Sequence, residues 1–189
     1  MNEETSILRK RIRLQGKEFE MYISSEAIQA RVEAIAEKIN EDMDGKNPLF
    51  IGVLNGTFRF CADIFKHLTI ECELSFVKIS SYQGTTSSGV MKSLIGLNEN
   101  IKDRTIVFIE DIIDSGETAM FLTNEINKLG PESVHWTTLL VKPDSLKYVI
   151  DIPYKGFEIS NDFMVGYGLD YKGAGRNLND LYKEVKLNI

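Results

Sequence analysis

The chain has 189 residues, 43% of them hydrophobic and 26% charged, with a formal net charge of −6. That length and apolar fraction suit one globular domain with its own core, and no apolar run approaches the roughly 20 residues that span a bilayer. The acidic balance argues against a general nucleic-acid binder, the polar start Met1-Asn2-Glu3-Glu4-Thr5 is not a secretory signal, and Cys61 and Cys72, lacking metal-type spacing, fit reduced thiols in a cytoplasmic protein.

The basic run Arg9-Lys10-Arg11-Ile12-Arg13 reads as a solvated strand or arm. Alternation from Arg11 to Ile23 predicts a hairpin turning at Gln15-Gly16-Lys17. Ser24 or Ser25 can cap a helix whose inner face is Ile28, Val32, Ile35, Ile39 and Met43, with Gly45 near its end. Leu49 to Leu54, between Pro48 and Asn55-Gly56, predicts a buried strand. Thr57 opens a second helix, with Phe58, Cys61, Ile64, Phe65 and Leu68 expected inside. Leu74 to Ile79 reads as another strand. Ser80 to Val90 is small, polar and poor in anchors, which predicts a mobile loop. Thr105 to Ile109 is the next buried strand. Ala119, Leu122, Ile126 and Leu129 mark a helix stopped by Gly130-Pro131. Val134 to Val141 and Phe163 to Tyr167 predict further strands. No repeat or linker interrupts the chain, so residues 1–189 form a single domain. Buried strands alternating with amphipathic helices predict an α/β fold, doubly wound around a mainly parallel sheet. Ligands of such sheets sit beyond the carboxyl ends of the strands.

One such end carries the densest chemistry, Ile106-Val107-Phe108-Ile109-Glu110-Asp111-Ile112-Ile113-Asp114-Ser115-Gly116-Glu117-Thr118. An apolar run meets two adjacent carboxylates, then a third, then Ser-Gly-X-Thr and a helical pattern. Successive N–H groups in that turn can converge on one anion, and the helix behind adds its positive end. Gly116 permits backbone geometry that other residues resist, and Ser115 and Thr118 supply hydroxyl donors. No Gly-X4-Gly-Lys-Ser/Thr motif is present, so the turn suits a single terminal phosphate rather than a nucleoside triphosphate. Glu110 and Asp111 answer a different need: sugar hydroxyls or a hard cation such as Mg²⁺. Asp114, one loop turn on, can take a proton. Each acid alone could equally be a helix cap or a solvated strand end; the ordered set argues for a ligand.

Elsewhere the single residues are ambiguous. Lys142 before Pro143 could be a surface lysine, Phe163 a core residue and Asp170 a turn residue. His67 and His135 have neither a third partner nor a nucleophile, so a hydrolase triad has no support.

Taken together, the motifs resemble those of the purine phosphoribosyltransferases, of the hypoxanthine or hypoxanthine-guanine type. Glu110 to Thr118 resembles the phosphoribosyl-pyrophosphate motif. Val53-Leu54-Asn55-Gly56-Thr57-Phe58 resembles the pyrophosphate loop, and Ser81-Tyr82 with the Thr/Ser/Gly stretch after it resembles the loop that closes over the reaction. Leu139-Leu140-Val141-Lys142 resembles the strand that delivers a purine-binding lysine. Gly156-Phe157-Glu158-Ile159, the run Phe163 to Tyr171, and Arg176-Asn177-Leu178 resemble the base-binding hood. The similarity extends from about residue 20 to 182, in the family's order.

The resemblance implies a type I phosphoribosyltransferase-like sheet with a small hood built from N- and C-terminal segments. It implies transfer of 5-phosphoribosyl from phosphoribosyl pyrophosphate to hypoxanthine, and to guanine, in purine salvage. Glu110 and Asp111 would hold the ribose hydroxyls directly or through Mg²⁺. Ser115, Gly116, Glu117 and Thr118 would cradle the 5-phosphate, and Asp114 would act as general base. Lys142, Phe163, Met164 and Asp170 would hold the purine, with Asp170 also helping to hold a second Mg²⁺. Asn55, Gly56 and Arg176 would bind pyrophosphate. A homodimer or homotetramer is implied, with no nucleic-acid or membrane partner. Three positions depart from the family pattern: Asn55 stands where Lys is common, Glu117 where neutral or basic residues are, and Lys172-Gly173-Ala174-Gly175 replaces a bulkier stretch, which would loosen the hood around Arg176. The alternatives are a xanthine- or guanine-preferring relative, an RNA-binding regulator on the same fold, or a response-regulator-like Mg²⁺ module.

Overall fold

The computed structural model describes residues 10–81, 91–95 and 97–185. The chain starts with the hairpin of β1 (Arg11–Leu14) and β2 (Lys17–Ile23), turning at Gln15-Gly16, where both residues have positive φ. Ser24 caps α1 (Ser25–Met43), its Oγ accepting from the Ala27 N–H at 3.3 Å. Such a cap is worth about 1 kcal/mol. Then follow β3 (Leu49–Leu54), α2 (Phe58–Phe65), β4 (Glu73–Ser81), β5 (Met91–Ile95), β6 (Thr105–Ile113), α3 (Glu117–Asn127), β7 (Ser133–Val141), β8 (Tyr154–Glu158), β9 (Met164–Val165) and β10 (Leu181–Glu184).

Six of these strands form one sheet in the order β5-β4-β3-β6-β7-β8. All neighbours pair in parallel except β4 and β5. Alternate residues serve opposite faces, as a two-residue period requires. Phe50, Val107 and Ile109 pack with Ile28, Val32, Ile35 and Ile39 of α1 and Phe60, Cys61 and Ile64 of α2. Leu49, Ile51, Ile106, Phe108 and Trp136 pack with Ala119, Leu122 and Ile126 of α3. Helices therefore cover both faces, which is why the central strands read as unbroken apolar runs.

The other four strands form an antiparallel sheet in the order β1-β2-β10-β9. Its strands close around Phe19, Val165 and Tyr182. Asp180 anchors this sheet to the main body, accepting from the Ser25 N–H at 2.9 Å at the start of α1.

Several expectations need correction. Phe58 is 44% exposed, whereas Phe60 is fully buried; a helical stripe can be drawn through either, and packing on β3 and β6 selects Phe60, Cys61 and Ile64. Burying such an aromatic stabilises by about 1.5–3 kcal/mol. Leu129 lies past the end of α3 and is exposed. The central strand does not stop at Ile109, because β6 stays in register with β7 as far as Ile113↔Val141. Gly156-Phe157-Glu158 is not in the hood; it belongs to β8, the edge strand of the main sheet beside β7. Of Phe163 to Tyr167, only Met164–Val165 is strand, and it lies in the smaller sheet. The expected mobile loop falls largely outside the described residues, as does Tyr82; Ser81 is the last residue of β4.

Candidate active site

The site lies where the sheet order reverses. From β3 the chain moves outward to β4, and β6 returns on the other side of β3. The β3–β6 ladder ends at Gly52↔Ile109, while β6 continues against β7 alone. The two strands part there, and the turn Asn55-Gly56 faces Asp111 across the opening. A crevice at such a switch point is where open α/β sheets bind ligands.

A cleft of about 310 Å³ fills this opening. Asn55 and Gly56 come from the turn after β3, Glu110, Asp111 and Asp114 from β6 and the loop beyond it, Lys142 from the end of β7, and Phe163, Met164, Asp170 and Arg176 from the hood segment. A cavity of about 100 Å³ adjoins it, built by Ser115, Gly116, Glu117 and Thr118, and shares Glu110, Ile112 and Asp114 with the first. Residues spread from 55 to 176 in sequence thus meet in one place. Of the remaining assigned residues, Tyr82 lies outside the described residues, and Ser81 is described only as the end of β4.

Close backbone packing shapes the floor. A Cβ on Gly56 would lie 1.5 Å from Asp111 Oδ2, and one on Gly168 would lie 2.1 Å from the Gly56 carbonyl oxygen. The Leu54–Asn55 peptide bond is cis. At the small cavity, Gly116 has φ +78° and stands at the N-cap of α3, so the turn needs a residue tolerant of left-handed backbone.

The acids are held out of water. Burial pushes the Glu110 carboxyl well above the usual carboxylate range, and the neighbouring Asp111 charge adds to it. Its Oε2 is buried and has no hydrogen-bond partner among the described residues. Burial also raises Asp111, to about 6, against the opposing effects of the Ile112 N–H at 3.0 Å and the Arg176 charge. Two desolvated carboxyls, one with an orphaned oxygen, are a donor set in want of a cation or of hydroxyl donors. No group of three His, Cys, Asp or Glu side chains forms a preformed metal cage among the described residues.

Asp114 and Lys142 form an ion pair, Nζ to Oδ2 2.7 Å. The Arg176 guanidinium donates to the Gly168 carbonyl at 2.6 Å and pairs with Asp170, whose other oxygen accepts from the Gly173 N–H at 2.7 Å. The Gly173 N–H thus helps to orient Asp170, the carboxylate that pairs with Arg176. Phe163 is 42% exposed and meets Tyr171 edge-on, at 5.7 Å between ring centroids. A half-exposed ring at the rim of a cleft is free to stack on a planar ligand. Met164 is buried and presents backbone at the edge of β9.

Sequence reasoning overlooked Asp63. It is a carboxylate 7% exposed inside the apolar stripe of α2. Burial works to raise its pKa, but hydrogen bonds from Lys66, Tyr167 and Gln29 outweigh this and hold it low. Tyr167 donates to it at 2.5 Å, and Arg59 of α2 lies 5.1 Å from the Tyr167 ring while donating to the Leu178 carbonyl at 2.6 Å. This network fastens the hood segment to the main body. An acid in an otherwise apolar helical stripe was the only signal for it.

With this geometry, the likenesses to known proteins are specific. Residues 19–172 match the family model described as the phosphoribosyl transferase domain. A hypoxanthine-guanine phosphoribosyltransferase from Streptococcus agalactiae is 42% identical over 156 residues, covering 82% of this chain and 87% of that protein. A crystal structure of a hypoxanthine-guanine phosphoribosyltransferase from Bacillus anthracis, with a HEPES molecule in the active site, superposes with a TM-score of 0.83 at 35% identity, over 88% of this chain and 98% of that one. A hypoxanthine phosphoribosyltransferase structure from Staphylococcus aureus gives 0.83 at 31% identity, over 88% and 91%. A switch-point cleft lined by acids, a phosphate-sized turn beside it, and a match over most of its length make this chain a member of the phosphoribosyltransferase family.

Proposed function

We propose that this enzyme transfers 5-phosphoribosyl from phosphoribosyl pyrophosphate to hypoxanthine and guanine, giving inosine or guanosine monophosphate and pyrophosphate. The observation that carries the reading is the junction of the two cavities. A phosphate-sized turn, a carboxylate pair and a lysine-and-aromatic wall adjoin, in the order a phosphorylated sugar bearing a base requires.

The bond between the anomeric carbon and pyrophosphate breaks, and a bond to a purine ring nitrogen forms. The Ser115–Thr118 turn holds the 5-phosphate through its N–H groups and the N-terminal end of α3. Glu110 and Asp111 accept from the ribose hydroxyls or hold a divalent cation, Mg²⁺ being the expected one. When bound, that cation neutralises charge on the pyrophosphate. Arg176 and the Asn55-Gly56 turn receive the departing anion, and Asp170 sits beside them. Phe163 stacks on the base, Met164 offers backbone groups to its edge, and Lys142 donates to its exocyclic oxygen. Asp114 takes the ring proton as the new bond forms. Holding base and sugar in line lowers the entropic part of the barrier.

A steady-state assay with phosphoribosyl pyrophosphate, Mg²⁺ and each of hypoxanthine, guanine, xanthine, adenine and uracil tests the reading. Turnover with hypoxanthine and guanine is expected. Turnover with xanthine alone, or with none of the five, would sink it.

A further inference from the structure

Glu117 is an awkward neighbour for a phosphate. It is the first residue of α3 and lines the 100 Å³ cavity, where its carboxylate would repel an incoming dianion. Lys147 answers it from outside that cavity. The lysine belongs to the segment after β7 and reaches the turn twice: its backbone N–H donates to the Ser115 carbonyl at 3.0 Å, and its Nζ donates to Glu117 Oε1 at 2.6 Å. The same segment backs the turn with apolar atoms, since a Cβ on Gly116 would lie 2.5 Å from Ile150 Cδ1 and 3.4 Å from Leu146 Cδ2.

The Lys147 and Glu117 side chains are 63% and 45% exposed, so the pair adds little to the stability of the fold. Its effect is on the field at the cavity. A carboxylate matched by an ammonium presents a dipole to an approaching anion, where a bare carboxylate presents a full charge.

We propose that the Lys147 side chain is a positioning group for the phosphorylated substrate, cancelling the charge of Glu117 beside the Ser115 turn. The proposal rests on reading that turn as the 5-phosphate cradle. It makes Lys147 and Glu117 a matched pair, in which loss of the cation matters only while the anion remains.

The test is a double-mutant cycle on the full chain, read by calorimetric binding of ribose 5-phosphate and by steady-state kinetics. Lys147→Met is expected to raise the ribose 5-phosphate Kd and the KM for phosphoribosyl pyrophosphate roughly three- to tenfold, with kcat and the KM for hypoxanthine held within about twofold. Lys147→Arg should retain wild-type binding. In a Glu117→Gln background, Lys147→Met should cost less than about twofold. An equal penalty in both backgrounds, or none in either, overturns the pairing. Thermal midpoints establish that each variant is folded. A wild-type protein that binds no ribose 5-phosphate fails the functional reading itself; one that binds it equally well with and without Lys147 fails this inference alone.

Discussion

The Lys142 ammonium donates to Asp114 Oδ2 at 2.7 Å, with the lysine side chain 10% exposed and the aspartate side chain 51% exposed. The pair joins the group proposed to recognise the purine's exocyclic oxygen to the group proposed to take its ring proton. Lys142 is the buried member, and a buried ammonium without a counter-charge is costly. A purine that engages both groups therefore enters between partners already oriented toward each other.

Asp114→Asn keeps the shape of the side chain but removes its charge and basicity. Turnover should fall roughly 100-fold or more, the range of a general base. The KM for phosphoribosyl pyrophosphate should change much less. Steady-state kinetics separates the two, and an equal loss in both would count against a proton-handling role.

Lys142→Ala removes a charged donor from the purine side of the cleft. Losing such a hydrogen bond costs about 1.5–3 kcal/mol, or roughly ten- to 100-fold in purine affinity. Donor binding should be largely kept. Unchanged purine affinity, measured by titration of inosine monophosphate, would refute the assignment.

The acids of β6 predict a pH dependence. Asp111 is raised to about 6, and Glu110 is raised as well, both by burial first. A carboxyl raised on folding favours the folded state while protonated. That contribution is fully present below the unfolded value near 3.8 and is lost as pH rises through about 6. A divalent cation binds the ionised form, so its stabilising effect should grow over the same window. Thermal melts from pH 4 to 8, with and without Mg²⁺, should diverge as pH rises. Curves that stay parallel would argue against cation binding at these acids.

Gly56→Ala would push a methyl group against Asp111 Oδ2, at 1.5 Å without relaxation. Overpacking of this kind costs about 1–3 kcal/mol. Because the displaced group is the carboxylate itself, phosphoribosyl pyrophosphate binding should fall further than the thermal midpoint implies. A variant with a lowered midpoint but an unaltered KM would show that Asp111 does not need its present position.

Tyr167→Phe deletes the hydroxyl that donates to Asp63 at 2.5 Å and leaves a buried carboxylate with one partner fewer. Denaturant unfolding should show a loss of about 1–3 kcal/mol. Gly168, next in the chain, holds Arg176 through its carbonyl. The KM for phosphoribosyl pyrophosphate should therefore rise too, whereas a purely local role would leave it unchanged.

The strands and helices that build the main sheet were legible because each buries a regular face. Ile28, Val32, Ile35, Ile39 and Met43 recur at helical spacing and all are buried. The apolar run Leu49 to Leu54 coincides with β3. Less regular pieces were not. The edge strand β8 and the two-residue strand β9 carry little pattern of their own, and their sheet membership depends on the neighbours they meet. Phe58 and Phe60 both fit a helical stripe, so only packing could choose between them.

The candidate site divides in the same way. Glu110 to Thr118 is local chemistry, consecutive in the chain, and its order alone announces acids beside an anion-binding turn. Tertiary structure decided what faces that turn: the Asp114–Lys142 pair, the answer of Lys147 to Glu117, the contact of Gly56 with Asp111, and the Asp63–Tyr167 bond across 104 residues. A sequence records spacing along one chain, and periodic burial converts that spacing into strands and helices. Distances and charges between remote segments exist only once those elements have packed.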